Sequence, residues 1–181
     1  MGNSEQLRIA LLGATGRMGR EIAALAQGDG RFLIVAGIAG ENLAELDNAL
    51  READCAVDFS LPAAAPIFAK AAAKAGVPLV VGTTGLKPAQ LNALKSAAKK
   101  IPVLYSPNMS LGMNLLFELT KKACAALKSY DAAVSETHHV LKKDAPSGSA
   151  QRLQAAAKKG NGRIAPIARL RVGQVVGAHT L

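Results

Sequence analysis

Aromatic residues make up 3% of the 181-residue chain, and tryptophan is absent. A surface that binds single-stranded nucleic acid by stacking bases on rings is therefore poorly supplied. Cysteine is as scarce: Cys55 and Cys124 stand far apart in apolar-rich surroundings. This excludes a disulfide framework and a cysteine-based metal centre, and fits buried thiols in a reducing cytoplasm. No apolar run approaches the roughly 18 residues that cross a bilayer. Ile9–Leu12, after a polar N-terminus, is too short for the hydrophobic part of a secretion signal. Acidic residues are also few, 13 against 22 basic ones, for a net charge of +9. Such a chain attracts anions. Its basic residues are scattered along helices, with neither an arginine-rich arm nor a zinc-finger spacing. Small phosphorylated or carboxylated ligands are thus favoured over nucleic acid or membrane, the alternative being a basic but inert surface. Half the residues are hydrophobic, enough for a core, and the length suits one to two domains.

The first hundred residues alternate two periods. Strands are expected at Leu7–Leu12, Phe32–Ile38, Cys55–Phe59, Leu79–Val81 and Val103–Tyr105, as short apolar runs bounded by glycine or polar residues. Helices are expected at Arg17–Gln27, Asn42–Arg51, Ala63–Ala75 and Pro88–Ala98. Strands apolar on both faces and alternating with helices imply an α/β fold, a Rossmann-type doubly wound parallel sheet. After Asn108 the pattern changes to a longer helix, Leu111–Leu127, a strand, Asp131–His139, and another helix, Ser147–Lys159. A polar turn at Lys158–Gly162 and two short strands around Gly173 within Ile164–Val176 complete it. The expected division is therefore residues 1–107 as a dinucleotide-binding domain and 108–181 as a second, smaller α+β domain.

Between the first strand and helix lies Gly13-Ala14-Thr15-Gly16-Arg17-Met18-Gly19. Glycines there let the backbone approach a pyrophosphate, and the helix N-terminus adds free N–H groups and a positive dipole end. The spacing is GxxGxxG, looser than GxGxxG, and glycines also serve strand ends and helix–sheet contacts. After the second strand, where an acidic residue often binds the ribose, Ala39 and Gly40 are followed by Glu41. Glu41 equally suits the first turn of a helix. Arg17 can meet a 2′-phosphate, which permits NADP and leaves NAD open. Gly82-Thr83-Thr84-Gly85 follows the fourth strand and reads either as room for a nicotinamide or as an ordinary turn.

Two of the three histidines fall together in Glu136-Thr137-His138-His139-Val140-Leu141-Lys142-Lys143-Asp144-Ala145-Pro146-Ser147-Gly148-Ser149. Adjacent histidines on a strand face opposite ways. With no cysteine or acidic cluster to complete a set, no metal is expected here. A histidine can act as a general acid, Lys142 supplies a cation, and Ser147 to Ser149 at a helix start supply donors for a carboxylate. The segment reads as an anionic-substrate site with an acid in it, against a bland alternative of a surface turn capped by Ser147.

These residues resemble the dihydrodipicolinate reductase family. The resemblance rests on the Gly13–Gly19 loop, Val57-Asp58-Phe59-Ser60, Val81 to Gly85, Ser106-Pro107-Asn108-Met109-Ser110, Gly112-Met113-Asn114 and Glu136 to Gly148. It implies an NADPH- or NADH-dependent oxidoreductase of diaminopimelate and lysine biosynthesis. Such an enzyme reduces 4-hydroxy-tetrahydrodipicolinate to tetrahydrodipicolinate with loss of water. His138 and Lys142 would be catalytic, and His139, Lys142, Gly148 and Ser149 would hold the dicarboxylate. Gly13, Gly16, Arg17, Met18, Gly82, Thr84, Asn108 and Met109 would bind the cofactor. A cytoplasmic homotetramer, joined through the second domain's sheet, is implied as well. An NADP-binding protein of the same fold with another substrate or lost activity is the alternative.

The family pattern is not followed throughout. It has an acidic residue, often followed by arginine, where Ala39 and Gly40 stand, and commonly Thr where Ser149 stands. Arg171-Val172-Gly173-Gln174-Val175-Val176-Gly177-Ala178-His179-Thr180 resembles a family strand pair, with Gln174 and Ala178 in place of two acids. Family members continue beyond the His-Thr pair, so the second domain is expected to be shortened.

Overall fold

The strands β1 (Leu7–Leu12) and β3 (Cys55–Asp58) lie at the centre of a parallel sheet, where Ala10, Leu11, Leu12 and Ala56 are wholly buried. This is a computed structural model and describes residues 6–143 and 145–181. The chain divides into two compact units, one ending at Pro107 and one beginning at Asn108.

In the first unit, β2 (Phe32–Ile38), β4 (Leu79–Val81) and β5 (Val103–Tyr105) complete the sheet in the order β2-β1-β3-β4-β5. All four pairings are parallel. Helices α1 (Arg17–Gln27), α2 (Leu46–Arg51), α3 (Ala65–Ala75) and α4 (Pro88–Ala97) connect them. Proline stands in the first turn of α3 and α4, where its missing N–H is not needed. The chain steps from β1 out to β2 and then back across to β3. For right-handed crossovers this puts α1 on one face and α2 to α4 on the other. The core between α2–α4 and the sheet contains Leu12, Ile38, Leu50, Phe68, Leu79 and Val81. Leu12 is level with both Ile38 and Asp58, and Asp58 with Val81. The loops after β1, β2, β3 and β4 therefore emerge along one edge, at the point where strand order reverses, which is where such sheets bind ligands.

One helix differs from expectation. Asn42–Arg51 is not one element: residues Gly40–Glu45 form a 3-10 helix, kinked at Asn42, and α2 starts at Leu46. The Asn42 side chain accepts from the Ala39 N–H at 2.7 Å and donates to the Gly37 carbonyl, so it ties the turn to β2 instead of extending α2.

The second unit pairs α5 (Leu111–Ala126) with α6 (Gly148–Asn161) over a sheet of β6 (Val134–His138), β7 (Ile167–Arg171) and β8 (Ala178–Thr180), in the order β7-β6-β8. β7 runs parallel to β6 and β8 antiparallel. Phe117, Cys124, Val134, Leu153 and Ala157 form its core. Both cysteines are free thiols, Cys124 buried and Cys55 only half-buried. The polar turn expected at Lys158–Gly162 is absent, because α6 runs on to Asn161 and ends on a left-handed Gly162. Gly160 lies against α5, where a Cβ would stand 2.7 Å from that of Cys124. The strand expected at Asp131–His139 is shorter, and the second strand expected before Val176 lies later, at Ala178–Thr180. Gly173 and Gly177 both have positive φ, so residues 172–177 turn before pairing resumes.

Candidate functional sites

Each unit carries a candidate site. In the first, Gly13 has a φ of +85°, and a Cβ there would stand 2.8 Å from the Phe59 carbonyl oxygen. Only glycine fits the turn. Gly16 caps α1 and donates its N–H to the Gly13 carbonyl at 3.0 Å. Arg17 and Met18 follow in the exposed first turn, which has no acidic side chain, so its positive dipole end is not neutralised. Beside the loop is a cleft of about 390 Å³, lined by Gly13, Gly16, Ala39, Leu43, Phe59 and Phe68 among others. Glu41 lies in the first turn of the 3-10 helix and does not line it. Gly82 has the Phe59 ring where a Cβ would be, so a larger residue would press that ring toward the cleft. A cradle that side chains would fill, opening on an uncompensated helix N-terminus, fits the pyrophosphate and adenosine of a dinucleotide.

Of the two threonines after β4, Thr84 is exposed and Thr83 buried. Thr83 donates its hydroxyl to Asp58 Oδ1 at 3.1 Å, and the same carboxylate oxygen accepts from the Ser60 N–H at 2.9 Å. Asp58 is fully buried, and its Oδ2 has no hydrogen-bond partner among the described residues. Burial pushes the Asp58 carboxyl above its ordinary 3.8, against the hydrogen bonds from Ser60 and Thr83. The folded state therefore holds more protons than the unfolded one between 3.8 and the raised value, so stability falls as pH rises through that window. Asp58→Asn keeps the accepting oxygen and removes the titration. Urea unfolding across pH is expected to show this fall in the parent and not in Asp58→Asn. Asp58→Ala, which takes the carboxylate acceptor away from both the Thr83 hydroxyl and the Ser60 N–H, is expected to lose about 1–3 kcal/mol.

The second site lies where β6 meets β8 and the start of α6. Glu136 and His138 alternate with Thr137 on β6 and are both buried. The antiparallel register places His179 of β8 directly opposite Glu136. The carboxylate accepts from the Ser147 N–H on both oxygens, at 3.2 and 3.1 Å, and from Arg171 Nη2 at 3.0 Å. Burial raises the Glu136 carboxyl, but these donors outweigh it and hold it below the ordinary range, so it is anionic. His138 Nδ1 is 3.2 Å from the Val176 carbonyl, and its Nε2 is 3.6 Å from Glu136 Oε2. Burial and the charges of His138 and Lys142 lower the His179 imidazole against the pull of Glu136. Ser147 caps α6, its hydroxyl accepting from the Ala150 N–H while lying 3.0 Å from His179 Nε2.

His138 and His139 do part company, His138 buried inward and His139 half-exposed just past the strand. The expectation that nothing nearby completes a set of potential ligands with the histidines is corrected. Glu136, two positions before His138, shares its face, and His179 completes a group of three. Lys142 is half-buried, and its carbonyl accepts from Arg171 Nε at 3.4 Å. Gly148 and Ser149 open α6. The first intrahelical bond runs from Gln151 N–H to the Ser147 carbonyl, so the N–H groups of Gly148 and Ser149 have no acceptor within the helix. Asn108 donates to the Ser149 hydroxyl at 3.2 Å, and Asn114 donates to the Asn108 carbonyl at 3.0 Å, fixing the loop before α5 against α6. Met109 beside it is exposed. Asp144 lies outside the described residues.

Glu136, Arg171, His179 and Gly177 are the members that sequence reasoning did not assign to the site. A Cβ on Gly177 would stand 2.7 Å from Cε1 of His138. Gly177→Ala is therefore expected to tilt the His138 ring off the Val176 carbonyl and to cost about 1–3 kcal/mol. Thermal unfolding, with a histidine ring NMR signal reporting the displacement, checks this.

Two family models cover nearly the whole chain. Residues 7–109 match "Dihydrodipicolinate reductase, N-terminus" and residues 112–181 match "Dihydrodipicolinate reductase, C-terminus". The 4-hydroxy-tetrahydrodipicolinate reductase of Caldanaerobacter subterraneus is 40% identical over 151 residues, covering 80% of this chain and 60% of that protein. That of Caulobacter vibrioides is 42% identical over 167 residues, covering 88% and 65%. That of Xanthomonas axonopodis is 40% identical over 189 residues, covering 97% and 78%. The chain thus spans less than two thirds of the length of the first two. The fold resembles a dipicolinate-bound dihydrodipicolinate reductase from Paenisporosarcina, with a TM-score of 0.83 over 97% of this chain and 82% of that one at 19% identity. With both halves matched and relatives at about 40% identity over most of its length, the chain belongs to the dihydrodipicolinate reductase family.

Proposed function

We propose that the chain reduces 4-hydroxy-tetrahydrodipicolinate to tetrahydrodipicolinate, with loss of the 4-hydroxyl as water, in diaminopimelate and lysine biosynthesis. One observation carries the reading beyond family membership: an imidazole and an anionic carboxylate stand beside a helix start whose first N–H groups have no acceptor within the helix, with Lys142 in the adjoining loop. A bound NADPH or NADH supplies the hydride. Gly13, Gly16, Arg17 and Met18 would hold its phosphates, with Gly82 and Thr84 near the nicotinamide; Asn108 and Met109 are the second unit's proposed cofactor-binding residues. The substrate's carboxylates would take the Gly148 and Ser149 donors, the Lys142 cation and the His139 ring. His138 is the proposed proton donor, with Lys142 as the second catalytic residue. Glu136 gives the His138 imidazolium a counter-charge within ion-pair distance. Both nitrogens of His138 face protein groups here, so proton delivery requires the ring to leave the Val176 carbonyl, a bond of 3.2 Å. Arg171 binds both Glu136 and the Lys142 carbonyl, and so holds the loop against the strand.

We assign the chain to the cytoplasm, where this biosynthesis runs. Among the described residues no helix is long and apolar enough to cross a membrane. Assembly as a homo-oligomer, a tetramer by the family's pattern, is supported by the outer edge of β7, which pairs with no further strand among the described residues and where Leu170 is 60% exposed.

Pyridine-2,6-dicarboxylate, a planar product mimic, tests the reading by calorimetry in the presence of NADPH. Saturable binding that weakens about tenfold or more in Lys142→Ala is expected, the loss of one charge-assisted contact. Binding of NADPH with none of the dicarboxylate would instead support a different substrate for the same fold.

A further inference from the structure

Glu136, His138 and His179 converge more closely than the sheet requires. Oε2 of Glu136 lies 3.6 Å from Nε2 of His138 and 3.7 Å from Nε2 of His179, and the two nitrogens are 3.4 Å apart. A point equidistant from three atoms so spaced is roughly 2.1 Å from each, the length of zinc–imidazole and zinc–carboxylate bonds. The orientation agrees. Nδ1 of His138 meets the Val176 carbonyl at 3.2 Å, which sets its proton there and turns the Nε2 lone pair to the common centre. Ligand histidines are held in this way. Arg171 takes Oε1 of Glu136, while Oε2, which also accepts from the Ser147 N–H at 3.1 Å, faces the histidines. All three side chains are at least nine-tenths buried. From this convergence we infer that Glu136, His138 and His179 bind one divalent cation of the zinc class.

The donor set selects the ion. Two imidazoles and a single carboxylate oxygen suit zinc or cobalt, whereas calcium and magnesium require six or more oxygen ligands. The Ser147 hydroxyl, 3.0 Å from His179 Nε2, stands where a metal-bound water can donate to it. A nucleophile–base reading of that contact fails, since the same His179 nitrogen faces both Ser147 and Glu136. The nearby cations Arg171 and Lys142 oppose a metal charge, which places the affinity well below that of a structural zinc centre. With His138 as the proton donor proposed above, an ion on Nε2 acts as a reversible inhibitor.

The test is made on the full chain, freed of chelator and without dicarboxylate, which itself binds metals. Titration with cobalt(II) is expected to give the intense visible bands of a four-coordinate site, and zinc to displace them with one equivalent by calorimetry. His138→Ala and His179→Ala are each expected to weaken zinc binding about tenfold or more, the scale on which site residues tune affinity. His139→Ala is expected to leave it unchanged. Circular dichroism checks that the variants fold, and where one does not, the cobalt spectrum of the unaltered protein still decides whether the site exists. Absence of the cobalt bands, or zinc binding indifferent to His179, overturns the inference. Neither readout involves turnover, so a chain that binds cobalt but reduces no dicarboxylate contradicts only the proposed reaction.

Discussion

Gly19→Ala is expected to lower the stability of the first unit by more than about 3 kcal/mol, beyond the usual range for an added core methyl. Gly19 is the buried residue of α1. A Cβ there would stand 2.7 Å from the Ala14 carbonyl oxygen and closer still to that of Gly13. These obstacles are backbone, so no rotamer change relieves them, and α1 has to lift from the loop it caps. That movement would also pull the α1 N-terminus away from a bound pyrophosphate. Urea unfolding and NADPH titration together check the expectation. Gly28→Ala is the companion measurement. Gly28 ends the same helix with negative φ and meets nothing nearer than the Leu25 carbonyl at 3.6 Å, so a change within about 0.5 kcal/mol is expected. If Gly19→Ala is equally mild, the loop is not packed as described.

His138→Gln is expected to lower kcat by about 10²–10⁴-fold, the contribution typical of a positioned general acid. KM for the dicarboxylate should change little, since the carboxylate-holding roles are assigned to His139, Lys142 and the start of α6. Glutamine keeps a donor toward Glu136, which retains Arg171 and the Ser147 N–H. The fold should therefore persist, and a melting curve shows whether it does. A kcat within about threefold of the parent would remove His138 from the chemistry and leave it a buried polar residue of the sheet.

Much of the first unit is readable because its strands are short, apolar on both faces and separated by helices of ordinary period. The bounds of β1, β2, β4, β5 and α1 agree with those expected. The difference at 42–51 comes from a side chain, Asn42, bonding local backbone in competition with the helix. In the second unit the strand period already places Glu136 and His138 on one face. The arrival of His179 depends on where β8 pairs, and that is set by the turn at Gly173 and the positive φ of Gly177, which apolar periodicity does not reveal. The end of α6 is hidden for a different reason. Lys158 to Asn161 look like a polar turn, yet Gly160 is needed for the close passage against α5. Likewise Thr83 and Thr84 are indistinguishable in sequence, and only burial beside Asp58 separates the structural hydroxyl from the exposed one.

This chain spans 60% and 65% of two of its relatives, and whether it reduces the cyclic dicarboxylate is decided by one assay. The protein is mixed with NADPH and the condensation product of pyruvate and aspartate semialdehyde, and absorbance and product are followed together. NADPH oxidation matched one-to-one by tetrahydrodipicolinate is expected, at a rate far above that of His138→Ala. Oxidation no faster than in that variant, by a protein shown to bind NADPH, would contradict the proposed reaction.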